Sequence, residues 1–244
     1  MSSEVAVVVG ASGALGSAIT TRLARAGLPV VAVARKAPAD GPDVTGCAAD
    51  IGTDEGAAAI TDAVGGRPVR MVVQAAGLPA TGPLETIDPD ALGHVVGLEV
   101  GGLLRLVRAV DGQLREGSRI VALGGHFGSE PAPYACAAGV TNAGLANLVR
   151  QLAVAYGPRG VTVHLVAPGP ADTPRLRGLA EQAAQRRGVA VEDVLAERAA
   201  ESPLGRLVTP AEMAWAVATL LAPEASGLHG ATLALDLGAR KGLF

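Results

Sequence analysis

The chain is poor in several residues that would narrow its chemistry at once. Of its 244 residues one is Trp, two are Tyr and two are Phe, so Val, Leu and Ala must fill the interior. Only Lys36 and Lys241 are lysines among twenty basic residues, which leaves two candidates for any role that needs an ammonium group. Cys47 and Cys136 lie far apart and without metal-ligand spacing; a disulfide framework is excluded and both read as reduced thiols. No basic leader precedes the short apolar run in MSSEVAVVVGAS, so neither a signal peptide nor a membrane span is expected and a cytoplasmic location is. A net charge of -3 gives no footing for nucleic acid or an anionic membrane as partner. Repeats, low-complexity tracts and linkers are absent, so a single domain over 1–244 is expected.

What is present is a rhythm. EVAVVV (4–9), PVVAVA (29–34), RMVVQA (70–75), SRIVAL (118–123), VTVHLV (161–166) and ATLALD (231–236) are apolar runs of strand length, with TGCAA (45–49) a weaker seventh. Continuous apolar runs fit strands buried on both faces of a parallel sheet. Helical patterns lie between them near 14–26, 54–64, 88–115, 135–156 and 210–222, several closed by Gly or Pro. This alternation predicts an α/β fold: one Rossmann-like, doubly wound parallel sheet of about seven strands with helices on both faces. Residues 170–207 break the rhythm with short polar helical patterns and no strand. An insertion there, after a late strand, is placed to act as a lid over a ligand crevice.

GASGALG (10–16) joins the first strand to the first helix. Glycines in that position allow a tight turn and bring backbone N–H groups close to a diphosphate at the helix N-terminus. The second strand ends in Ala34, Arg35 and Lys36, with no carboxylate for the ribose hydroxyls of NAD. Two cations suit the extra phosphate of NADP(H), which is favoured over NAD(H).

With these landmarks the sequence resembles the short-chain dehydrogenase/reductase family over nearly its whole length. The Gly-rich turn is followed by Asp50-Ile51 at the adenine position, by QAAG (74–77) where the family has NNAG, and by Tyr134 before the fifth helix. APG (167–169) with Thr173 matches the nicotinamide-side PG-x-x-x-T element, and SPLGRLVTPAEMAWAV (202–217) with GATLALDLG (230–238) matches the closing helix and strand. The resemblance implies cofactor contacts from Gly10, Ser12, Gly13, Leu15 and Gly16, from Arg35, Lys36, Asp50 and Ile51, and from Ala76, Gly77, Pro168, Gly169 and Thr173.

It also exposes departures. The family's chemistry uses a serine, a tyrosine, a lysine four residues later and an asparagine in the fourth helix. Here Gly124 and Gly125 occupy the serine region, Glu99 the asparagine position, and Ala138 stands four residues after Tyr134. Tyr134 is thus the one catalytic candidate, with His126 and Ser129 as candidate assistants. Lys36 belongs to the adenine end, and Lys241 reaches the site only if the tail folds inward. No cation is expected beside Tyr134, and a phenol without one is a poor general base near neutral pH.

The resemblance implies dimerisation through the helices near 88–115 and 135–157, and the family includes mixed pairs of an intact and a degenerate subunit, in acyl-CoA degradation and in aminocoumarin antibiotic pathways. The leading expectation is therefore a degenerate subunit of an NADP(H)-dependent β-ketoacyl reductase-like oxidoreductase in secondary metabolism, supporting an active partner, whose substrate is a carrier-bound or small carbonyl compound. The alternatives are an atypical ketoreductase using Tyr134 as proton donor, a non-catalytic sensor of NADP(H), and a homo-oligomer in place of the mixed pair. No metal is expected.

Overall fold

The computed structural model describes residues 4–77 and 83–242. Seven strands, β1 (Val5–Val9), β2 (Val30–Ala34), β3 (Val44–Ala48), β4 (Val69–Gln74), β5 (Leu114–Leu123), β6 (Thr162–Pro168) and β7 (Thr232–Leu235), form one sheet in the order β3-β2-β1-β4-β5-β6-β7. Every pairing is parallel. The fold is the expected doubly wound α/β arrangement with helices on both faces. Because side chains alternate along a strand, Val5, Val7 and Val9 of β1 enter one core layer and Ala6 and Val8 the other.

The first layer is closed by α2 (Asp54–Val64), α4 (Gly102–Ala109) and α5 (Cys136–Tyr156) through Ile60, Leu103, Leu106, Leu145 and Val149. The second is closed by α1 (Ala14–Arg25) and α8 (Pro210–Thr219) through Ile19, Leu23, Met213 and Val217. Both faces of the central strands are covered, which is why their sequences read as unbroken apolar runs. Chain order reverses where β1 lies between β2 and β4, and the carboxyl edge there is where an open α/β sheet holds its ligand.

The helical pattern expected near 88–115 is present but ends at Ala109. It is α3 (Pro89–Val96), a π turn over Gly97–Gly101, then α4, and the chain is already in β5 at Leu114. Three of the five π-turn residues (97–101) are not glycine, and one of them is Glu99. Widened turns of this kind often occur at functional sites. Residues 170–208 hold α6 (Pro174–Arg187) and α7 (Val191–Ala200), which share a small apolar cluster of Ala180, Ala184 and Val194. A parallel bridge between Ala171 and Val208 closes the base of this excursion.

His164 on β6 is fully buried and burial pushes its pKa down to about 4. Nδ1–H donates to the Leu228 carbonyl and Nε2 accepts from the Thr162 hydroxyl, the tautomer this network requires of a neutral ring. The unfolded chain takes up a proton below 6.5 that the native state refuses until about 4, so stability is full above that window and falls as pH drops through it. Urea unfolding should lose about 2 kcal/mol between pH 7 and pH 5. His164→Gln should flatten that slope, and an unchanged slope would assign the loss to other groups.

Candidate functional site

The glycine turn is built by close approach. Gly10 has φ +85, and a Cβ on it would lie 2.6 Å from the Ala75 carbonyl carbon and the Ala76 nitrogen at the end of β4. A Cβ on Gly16 would collide with the Gly10 carbonyl oxygen. Gly13 caps α1 in extended conformation with no side-chain hydrogen bond, leaving the first-turn N–H groups for an outside acceptor. Exposed Ser12 and half-buried Leu15 flank it. This turn fits the diphosphate of a dinucleotide.

At the adenine end Arg35 and Lys36 are exposed, and among the described residues neither forms an ion pair with a carboxylate. Asp50 Oδ1 accepts from the Gly52 N–H at 2.9 Å, which turns the chain after β3 and buries Ile51. The link from β2 to β3 contains no helix and folds onto β3, where Gly46 admits the Pro38 carbonyl and donates to Asp40 at 2.7 Å.

At the other end three strand ends meet. Gln74 closes β4 with its Oε1 buried and without a hydrogen-bond partner, ahead of Ala76 and Gly77. Pro168 closes β6, Gly169 packs on Asp236, and Thr173 caps α6 by accepting from the Leu176 N–H at 3.2 Å. β5 runs into Gly124 and Gly125, and the α5 side chain that meets them is Asn142: a Cβ on Gly125 would stand 2.8 Å from its Nδ2. Asn142 is 8% exposed. Ala138 lies one helical turn earlier, ~6 Å along the axis.

Tyr134 precedes α5 and is 50% exposed. The cation that the sequence had excluded is present, and this is a correction. The Arg198 guanidinium of α7 lies 5.0 Å from the ring centroid and donates to the phenol oxygen at 3.3 Å, while also pairing with Glu201. No spacing rule could have found it, because 64 residues separate the two side chains. Phe127 meets the Tyr134 ring edge-on at 5.7 Å, and His126 lies against Phe127 with Nδ1 3.4 Å from the Pro168 carbonyl. Exposed Ser129 only donates to the His126 carbonyl. The tail does turn toward this loop, for the Lys241 backbone N–H donates to Glu130 at 3.1 Å, but the lysine is exposed.

A family model described as enoyl-(acyl carrier protein) reductase matches residues 10–240. The short-chain reductase protein NovJ of Streptomyces niveus is 34% identical, covering 96% of this chain and 93% of its own. The chain is a short-chain dehydrogenase/reductase. Within that family, a protein of Xanthobacter autotrophicus named inactive 2-(S)-hydroxypropyl-CoM dehydrogenase 2 is 32% identical over 85% of this chain and 90% of its own. A solved actinorhodin polyketide ketoreductase variant with NADPH superposes with a TM-score of 0.88 at 25% identity, covering 98% of both chains. Family membership supports a nicotinamide cofactor, and the glycine turn fits the diphosphate of one. Among the described residues no helix is long and apolar enough to cross a membrane.

Proposed function

We propose that this short-chain dehydrogenase/reductase is a dinucleotide-binding subunit without turnover of its own, which completes an oxidoreductase assembly with a catalytically intact relative. The observation that carries the reading is the contact of Asn142 with Gly125. It sets the α5 residue beside the serine strand at 142, with the tyrosine position one turn earlier at 138. In that register the four chemical positions hold Gly125, Ala138, Asn142 and Glu99, and none can donate a proton as a phenol, polarise one as an ammonium, or hold a carbonyl as a hydroxyl. Tyr134 then lies outside the set, engaged with Arg198.

Support for the setting comes from the relatives. A reductase of a Streptomyces species and a polyketide ketoreductase suggest secondary metabolism and a β-ketoacyl-type carbonyl, and a relative named inactive fits a non-turnover role. Free Arg35 and Lys36 side chains at the ribose end favour NADP(H). Val140 and Val154 on α5 are 50% and 81% exposed, apolar surface that a partner helix would cover.

Purified alone, the protein should bind NADPH more tightly than NADH by calorimetry and fail to oxidise it with a panel of ketones and β-ketoacyl thioesters. Co-expressed with an intact relative, it should co-purify as a stoichiometric complex. Steady NADPH turnover by the isolated chain that Tyr134→Phe abolishes would sink the proposal. The second reading, a reductase using Tyr134 as acid, has one observation behind it: the Arg198 guanidinium supplies a cation to that phenol. It requires Arg198→Met to cut turnover as deeply as Tyr134→Phe.

A further inference from the structure

Arg175 has no place in the family's chemistry, yet it reaches the crevice. It is the second residue of α6, next after Pro174, and it is exposed. A Cβ placed on Gly77 would stand 3.3 Å from its Nη1 and 2.9 Å from Glu99 Oε1. The guanidinium of the α6–α7 excursion and the carboxylate of the π turn therefore meet at the residue that follows Ala76. Ala76 in turn touches the glycine turn, since its nitrogen is 2.6 Å from a Cβ on Gly10. One further residue of chain, ~3.8 Å between Cα atoms, separates that contact from Gly77. A full positive charge thus stands at the residue next to the one that packs on the glycine turn, with a carboxylate at the same glycine.

We propose that Arg175 clamps the diphosphate of a bound dinucleotide and so couples the α6–α7 excursion to cofactor occupancy. The inference rests on the dinucleotide reading above. A guanidinium forks onto phosphate, and a diphosphate brings it two negative charges. Glu99, whose carboxylate approaches the same glycine, has the opposite effect on the ligand: it repels phosphate. Elsewhere the excursion touches the body where Arg198 meets Tyr134 and where Pro203 packs at Gly238. A phosphate grip at the start of α6 would add an attachment on the crevice side.

Calorimetry on the full chain tests this with NADPH and, as the ligand lacking a diphosphate, reduced nicotinamide riboside. Arg175→Met should weaken NADPH about ten-fold or more and flatten its salt dependence, and Arg175→Lys should keep part of the affinity. Glu99→Gln should tighten NADPH, while the riboside should ignore Arg175→Met. A second readout needs no affinity at all: NADPH should slow tryptic cleavage at the exposed Arg186–Arg187 end of α6 in the parent protein but not in Arg175→Met. If the parent protein binds NADPH and Arg175→Met binds it equally or more tightly at unchanged Tm, the clamp is overturned alone. Absence of NADPH binding by the parent protein overturns the dinucleotide reading and the clamp with it.

Discussion

A chain carrying Gly125→Ser, Ala138→Tyr, Asn142→Lys and Glu99→Asn together should oxidise NADPH with a simple ketone at least about a hundred-fold faster than the parent protein, since acid–base groups of this kind contribute about 10²–10⁴. The four positions are chosen from packing. A Cβ on Gly124 would lie 3.0 Å from Leu165 Cδ1 in the core, so a serine belongs at 125 rather than 124. At 125 the obstacle is the Asn142 amide, 2.8 Å from a Cβ there. Gly125→Ser alone should therefore displace Asn142 and gain nothing, and the two positions must be changed as a pair. Tyrosine at 138 and lysine at 142 are one turn apart on the same face of α5. The decisive comparison is Ala138→Lys, which creates tyrosine and lysine at the family's spacing from Tyr134. If that single change gives turnover and the fourfold change gives none, the register argued from Asn142 is wrong and Tyr134 is the family's tyrosine.

The sheet and the glycine turn were legible in the sequence because they depend on local pattern. Apolar runs such as VAVVV and VVAVA bury both faces, and GASGALG can only be a tight turn between a strand and a helix. The reacting end was less legible because it is made of contacts between distant elements. Spacing counted from Tyr134 pointed to Ala138 as the lysine position. A count backward from the buried stripe of α5, Leu152, Val149 and Leu145, runs into Asn142. A buried asparagine one turn before those apolar side chains was the available signal, and it faces the end of β5. The π turn inside the helical stretch 89–109 was hidden for a related reason: the apolar periodicity of α3 and α4 continues through it, and periodicity alone does not register one residue of extra winding. Arg175 and Arg198 look like ordinary surface cations of polar helices. Only the neighbours that the fold brings to them, Gly77 for Arg175 and Tyr134 for Arg198, give them a role.

The largest loss of stability should come from a residue far from the crevice, at the amino-terminal edge of the sheet. Arg119 on β5 is 2% exposed, and among the described residues no carboxylate pairs with it. Its guanidinium donates instead to the carbonyls of Leu220 and Gly117 at 2.8 Å, Ala222 at 3.3 Å and Ser118 at 3.4 Å, and to the Ser226 hydroxyl at 3.3 Å. Burial and the neighbouring Arg70 both pull its pKa down, yet an arginine keeps its proton. The charge is held by carbonyl dipoles, among them that of Leu220, which ends α8. Arg119→Met removes the charge but leaves those carbonyls without their donor, at a cost of about 3 kcal/mol or more in urea unfolding. Arg119→Lys has three donors on a compact head and cannot reach all five acceptors, so it should recover less than half of that loss. α8 packs through Met213 and Val217 against Ile19 and Leu23 of α1, the helix that presents the glycine turn, yet the Arg119 contacts lie at the opposite end of the sheet. Arg119→Met should therefore lower Tm while leaving NADPH affinity, measured well below Tm, within about two-fold of the parent protein. Loss of affinity without loss of stability would mean that the α8 end is coupled to the crevice, and a change under about 0.5 kcal/mol would show that water satisfies those carbonyls unaided.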